Sequence, residues 1–203
     1  PCEMLVFRQS GTTRLRYGGA ATAWDPQPEQ RKSMRRIAQR VGTHLRRHHE
    51  YRGMFTIDGI MTTDGFRPTE LNPRYGAAAG RLLAGLPNLP LYILHKALCA
   101  GIDLGYDPRT LEKTIVESSD QSRVIKAGFH VPGDSPREQR EIRYKKTADG
   151  WIENEGSNDA LVSYGKSVMG GYLKITIEPN SVPAGRSPAA HIAILATQSA
   201  KRL

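Results

Sequence analysis

The chain has 203 residues, 38% of them hydrophobic and 24% charged, with a formal net charge of +9. That length buries a real core, and the composition excludes disordered, collagen-like and low-complexity classes. No apolar run is long enough to span a bilayer, and Cys2 and Cys99 are too few for a disulfide framework or a zinc site, so a reducing, cytoplasmic setting is expected.

In chain order, residues 3–8 read as a strand. A turn at Ser10, Gly11 and Thr12 leads to its partner, Arg14 to Tyr17. Trp24-Asp25-Pro26 with Pro28 is a loop. A helix is predicted from Glu29 to His48, because Met34, Ile37, Val41 and Leu45 recur at helical spacing and form one apolar stripe. Arg31, Lys32, Arg35, Arg36, Arg40, Arg46 and Arg47 lie mostly away from that stripe. Gly42 costs the helix roughly 1 kcal/mol relative to Ala. His44, His48 and His49 fall near its C-terminus, where positive charge suits the helix dipole.

A hairpin is expected over Met54 to Arg74, since Asp64-Gly65 between two apolar runs is a strong turn signal. With a three-residue loop, Thr63 to Gly65, Thr62 faces Phe66, Asp58 falls opposite Glu70, and Asn72 shares their face. A two-residue loop would put the two carboxylates on opposite faces. Pro68 removes a ladder donor and implies an edge or a bulge.

Leu91, Leu94, Leu98 and Tyr92 are expected on the inner side of a helix over Pro87 to Gly101, while Pro108 to Val116 is ambiguous. Short strands are predicted at Arg123 to Val131, Glu141 to Lys146 and Tyr172 to Glu178. Gly165-Lys166-Ser167 has the end of a phosphate-binding loop but Ala160 in place of its first glycine, so it is expected to be a plain loop. Gly170-Gly171 reads as a flexible turn or a close backbone approach. Ser187-Pro188 suits a helix start, and a closing helix is expected from Ala189 to Arg202. His130 and His191 stand alone. The pattern is α+β, with a mostly antiparallel sheet and packed helices.

Two carboxylates facing each other across a strand pair repel, and a cation between them removes the penalty. Oxygen ligands with an amide suit Mg²⁺, so Asp58, Glu70 and Asn72 are the candidate metal ligands. Arg74, two residues on, offers a planar fork to a phosphate or a carboxylate. The alternative reading makes Asp58 a polar strand residue, Glu70 an exposed one and Asn72-Pro73 a turn. Arg8, Arg14 and Arg16 flank the first hairpin, and one of them, with Arg8 and Arg16 the candidates, is expected to reach nucleotide phosphates from the sheet face, although exposed strand arginines are commoner.

Asp58, twelve residues before Glu70-Leu71-Asn72-Pro73-Arg74, resembles the metal-binding signature of the ATP-grasp superfamily. The helix ending near Tyr51-Arg52-Gly53 and running into Phe55-Thr56-Ile57-Asp58 is similar to that family's lead-in. The resemblance covers about residues 3–85. It implies an ATP-dependent carboxylate ligase with ATP and Mg²⁺ as cofactors and Mn²⁺ as the alternative ion. Asp58 and Glu70 would hold the metal, Glu70 bridging two ions and Asn72 binding the second. Arg74 would act catalytically, steadying the transferred phosphoryl group or the acyl substrate. It further implies a small carboxylate substrate, an amine or thiol nucleophile, and an N-terminal subdomain carrying the adenine hinge and a phosphate-binding lysine. Residues 1–86 would then be the ATP-grasp-like C-terminal subdomain, and residues 87–203 an α+β extension packed on it. No membrane partner is expected, and a homo-oligomer is compatible. A nucleic-acid-binding module using the basic helix is the rival function, disfavoured because its arginines serve equally as a solvent face and no aromatic stacking platform is evident. An inactive ATP-grasp-like scaffold is the third reading.

Overall fold

A computed structural model describes residues 1–131, 138–168 and 170–200. The chain is α+β. Among the described residues it holds a seven-stranded antiparallel sheet, a separate two-stranded hairpin and five helices. Backbone proximity divides it into two compact units. One is residues 26–122, and the other joins Cys2–Asp25 to the segment from Arg123 onward. The boundary expected near residue 86 falls inside the first unit.

The second unit holds the large sheet. Its strands are β1 (Glu3–Arg8), β2 (Leu15–Ala21), β5 (Ile125–Val131), β6 (Arg140–Thr147), β7 (Gly150–Glu153), β8 (Ala160–Ser167) and β9 (Gly170–Ile177), in the spatial order β1-β2-β5-β9-β8-β6-β7. Alternation decides which face is core. In β9, Leu173, Ile175 and Ile177 are buried while Lys174 and Thr176 are exposed, the period of two expected of a half-buried strand. Helix α5 (Ala189–Ala200) covers the apolar face, burying Ile192 and Leu195 among Leu5, Ile125, Val162, Ile175 and Ile177. The closing helix was expected to reach Arg202, a position outside the described residues. Ser187 caps its start: its Oγ accepts the Ala189 N–H at 3.3 Å and donates to a Glu3 carboxylate oxygen. Burial raises the Glu3 carboxyl above its ordinary value, and the Ser187 bond partly opposes that.

Two elements here depart from expectation. Gly165-Lys166-Ser167 is the end of strand β8, paired with Tyr172, Gly171 and Gly170, and is not a loop. The buried alternation Ala160, Val162, Tyr164 makes it a strand. His191 is not an isolated histidine either. Its Nδ1 accepts the Trp151 indole N–H at 3.3 Å, and burial, with Lys146 nearby, holds its pKa below the usual histidine range.

The core also contains a buried pair of hydroxyls. The Tyr144 hydroxyl and Ser199 Oγ lie 3.1 Å apart, with the residues 2% and 0% exposed. Tyr144→Phe strands the serine hydroxyl and is expected to cost about 1–3 kcal/mol. Tyr144→Phe with Ser199→Ala removes both groups and should cost less than the single change. Urea denaturation of the two variants measures this, and a double variant at least as unstable as Tyr144→Phe would refute it.

The first unit comprises helix α1 (Pro28–His49), the hairpin strands β3 (Thr56–Thr62) and β4 (Gly65–Asn72), and helices α2 (Ala79–Leu82), α3 (Leu91–Cys99) and α4 (Pro108–Gln121). Residues around Pro108, ambiguous in sequence, are helical because Asp107 caps them: its carboxylate accepts the N–H groups of Arg109 and Thr110 at 3.2 and 3.0 Å. The Thr110 hydroxyl also donates to the Asp107 carboxylate at 2.6 Å, and this bond first, then the two N–H bonds, lowers the Asp107 pKa.

The stripe of α1 faces inward less completely than expected. Leu45 is buried, but Met34, Ile37 and Val41 are half-buried, since a two-stranded ribbon is too narrow to cover a helix of 22 residues. Arg31 is not a free surface cation: it meets Asp120 at 3.2 Å, and Arg35 meets Glu112 at 2.6 Å, both on α4. Helix α3 starts only after Pro90, whose ring suits a helix entrance and not its interior. On its inner side Leu91 and His95 are buried and the expected Leu94 and Leu98 are half-buried. Tyr92 and Ile93, at 53% and 67% exposure, face outward, which corrects the expected inner position of Tyr92.

Candidate metal and phosphate site

The hairpin turn closes with Thr62 opposite Gly65. Thr62 Oγ1 donates to the Gly65 carbonyl at 2.9 Å and accepts the Asp64 N–H at 3.2 Å. Gly65 has φ +105°, a conformation that disfavours any residue with a Cβ. The loop is thus the two residues Thr63 and Asp64, and the expected facing of Thr62 with Phe66 is wrong, because Phe66 faces Met61.

An uninterrupted ladder from that turn would separate Asp58 and Glu70 onto opposite faces. It is interrupted. Gly59 faces Pro68 while Asp58 faces Glu70, so Thr69 is an extra residue on β4, a bulge beside the proline that cannot donate to the ladder. The bulge shifts the register by one and restores the direct opposition of the two carboxylates. At Gly59 a Cβ would sit 2.4 Å from the Phe66 ring, so the close cover of this part of the ribbon requires glycine.

Asn72 lies diagonally from Asp58 and donates its amide Nδ2 to Asp58 Oδ2 at 3.2 Å. Arg74 Nη2 donates to Asn72 Oδ1 at 3.4 Å, and the Arg74 N–H bonds the Asn72 carbonyl at 2.8 Å. Asp58, Asn72 and Arg74 therefore form one chain of polar contacts. Glu70 is exposed and makes no ion pair or hydrogen bond among the described residues. No cluster of three or more His, Cys, Asp or Glu suited to a metal occurs among those residues. The hairpin instead offers two opposed carboxylates and one amide, a hard all-oxygen set that fits a Mg²⁺ retaining several waters or substrate oxygens. The fit has one condition. The Asn72 carbonyl oxygen now faces Arg74, so ligating an ion beside Asp58 requires the amide to turn over and release the guanidinium.

Arg8 and Arg16 are not brought together. In the β1–β2 ladder Arg8 faces Leu15 and Arg16 faces Phe7, so successive positions send the two arginines to opposite faces of the large sheet. Arg16 is held by Gln9 Oε1 at 3.3 Å. Both belong to the second unit, and the four hairpin residues to the first.

Sequence reasoning missed a polar knot at the entrance to the hairpin. His95, 7% exposed, accepts the Met54 N–H on Nδ1 at 3.0 Å, and Cys99 Sγ lies 3.6 Å from the same nitrogen. The Cys99 thiol also donates to the Arg52 carbonyl at 3.1 Å, and the Tyr51 hydroxyl donates to the Met54 carbonyl at 2.5 Å. Burial, then Cys99, raises the Tyr51 pKa. With Nδ1 occupied as an acceptor and the thiol proton committed to a carbonyl, this pair is a clamp on the chain before β3 and not a nucleophile with its base. The spacing of four between His95 and Cys99 was the only sign of it in the sequence.

Comparison with protein-family models, with curated proteins and with solved structures finds no match. No helix among the described residues is long and apolar enough to cross a membrane.

Proposed function

We propose that this chain carries the metal–nucleotide hairpin of an ATP-dependent carboxylate ligase of the ATP-grasp type. One observation carries the reading: Asp58 and Glu70 stand directly opposite each other on the ribbon, with Asn72 bonded to Asp58. A like-charged cross-strand pair destabilises a hairpin, and a divalent cation removes that cost. A Mg²⁺ ion held there supplies charge neutralisation for the β- and γ-phosphate oxygens of ATP during phosphoryl transfer to a small carboxylate.

The chain's own groups have separable tasks. Asp58 and Glu70 present oxygens from two strands whose spacing the bulge sets. Asn72 holds the Asp58 carboxylate in the arrangement seen here and, with its amide turned over, would offer its oxygen as the third ligand. Arg74, once freed from Asn72, carries a fixed positive fork two residues beyond the ligands, suited to a phosphoryl or carboxylate oxygen. Arg74 is the arginine whose position supports a role in the chemistry. Arg8 and Arg16, on opposite faces of the sheet, have no arrangement that supports joint phosphate binding.

Mn²⁺ titration followed by the free-ion EPR signal tests the proposal. Binding of Mn²⁺ is expected, tighter when ATP is present and displaced by excess Mg²⁺. A free-ion signal unaffected by the protein, with and without ATP, would overturn the metal assignment.

A further inference from the structure

Helix α1 carries a second charged feature that the ligase reading does not use. Of its cations, Arg31 and Arg35 are ion-paired to α4, and Lys32 lies 3.8 Å from Glu29. Arg36, Arg40, Arg46 and Arg47 are exposed and have no carboxylate partner among the described residues. Arg36, Arg40 and Arg47 repeat at spacings of four and seven, which places them along one face, turned away from the Met34–Leu45 stripe. Gln39, Arg40, Thr43, His44, Arg47 and His48 line a shallow groove of about 330 Å³ on that face. The His44 and His48 rings stack with centroids 4.6 Å apart, which adds hydrogen-bonding nitrogens to the row.

The chemistry of the face selects its partner. Arg36 and Arg47 are eleven residues apart, roughly 16 Å along the axis at 1.5 Å per residue, too far for a single small anion to bridge. The face needs a partner with repeated negative charge. A helix that embeds in a membrane surface needs an apolar stripe facing outward, and this helix turns its stripe inward, which leaves a lipid surface only the attraction of its headgroups. A protein partner requires a buried aromatic or aliphatic anchor, and the face has none. A nucleic-acid duplex requires neither: such interfaces are polar and strongly basic, and the major groove of B-DNA is wide enough to admit a helix. We propose that the Arg36–Arg40–Arg47 face of α1 binds the phosphate backbone of duplex DNA, with Gln39 and Thr43 toward the groove. This is separate from the metal hairpin and does not depend on the ligase reading.

Fluorescence anisotropy of a labelled 20-base-pair duplex with the full chain, across a salt series, tests it. Three phosphate contacts predict a log–log salt slope of about −2.7, or roughly forty-fold weaker binding between 50 and 200 mM salt. The exposed triple substitution Arg36→Gln, Arg40→Gln, Arg47→Gln should flatten that slope and remove most of the affinity, with an unchanged circular dichroism spectrum. Lys174→Gln, a change on the large sheet, should leave both alone. The proposal is overturned by a triple variant that binds as the parent does, by tighter binding of the single strand, or by equal binding of polyglutamate.

Discussion

Glu70→Gln is expected to weaken Mn²⁺ binding at least tenfold without loss of fold, and to abolish the Mg²⁺-dependent ATP turnover that the proposed ligase reading requires. Three features of the site give this result. First, a Mg²⁺ ligand set with only one or two carboxylates depends on each formal charge, and an amide of the same shape neutralises phosphate poorly. Second, Glu70 is exposed and makes no bond among the described residues, so its replacement leaves no cavity and strands no donor. Third, it faces Asp58 directly, and replacing one of two like charges relieves a repulsion of about 0.2–1 kcal/mol. Thermal melting without metal should therefore show an unchanged or slightly raised midpoint. Added Mn²⁺ should raise the midpoint of the parent chain and not that of the variant, as binding to the native state alone requires. Asp64→Asn, in the turn, serves as the control. It removes the 3.5 Å contact with Arg67 and no ligand, so metal binding should persist. If Glu70→Gln bound Mn²⁺ as the parent does, the opposed carboxylates would be a surface coincidence and the ligase reading would fall with them.

The opposition of Asp58 and Glu70 was legible in the sequence for a reason that nearly misled. It was expected from a three-residue turn, yet the turn has two residues and the bulge at Thr69 supplies the missing step. Two departures from a regular ladder cancel, and Pro68 was the residue that announced the second. Strand β9 was legible because one face is buried and the other wet, which writes a period of two into Leu173, Ile175 and Ile177. Strand β7 was missed because its four residues, Gly150–Glu153, contain a single buried position, Trp151. Tyr92 was misplaced because an apolar run has no intrinsic inside: Tyr92 lies next to the buried Leu91 in a helix that starts four residues later than expected, and only the packing shows which side is covered.

The division of the chain was the least legible property. Strand β2 pairs with β5 through Ala21 and Ile125, so the large sheet closes across more than a hundred residues that contain the whole first unit. Local periodicity reports which side of an element is apolar but not which distant element covers it. The same limit applies to charge. The row of arginines in α1 reads as uniform in sequence, and only α4 separates those with carboxylate partners, Arg31 and Arg35, from Arg36, Arg40 and Arg47.

Leu195→Ala is expected to destabilise the sheet unit by about 2–5 kcal/mol, the range for a leucine removed from a core that cannot collapse around the gap. Leu195 is 0% exposed on the helix that closes the sheet, and its neighbours Ile192, Ile175 and Ile177 are each at most 1% exposed. Branched side chains on a paired strand are held by their ladder and cannot move in to fill a methyl-lined hole. Against a urea m-value of about 1–3 kcal/mol per molar, the change should lower the midpoint by roughly a molar or more. Trp151, 4% exposed and bonded to His191 on the same helix, reports the transition by its fluorescence. Ile194→Ala is the matched control. It lies one residue away on the same helix but is 44% exposed, so it surrenders little burial and gains helix propensity. A gap of several-fold between the two variants follows if α5 is the cover of this core. Equal and small effects would mean that the sheet keeps its apolar face buried by some other means, and that the alternation in β9 reflects a different partner.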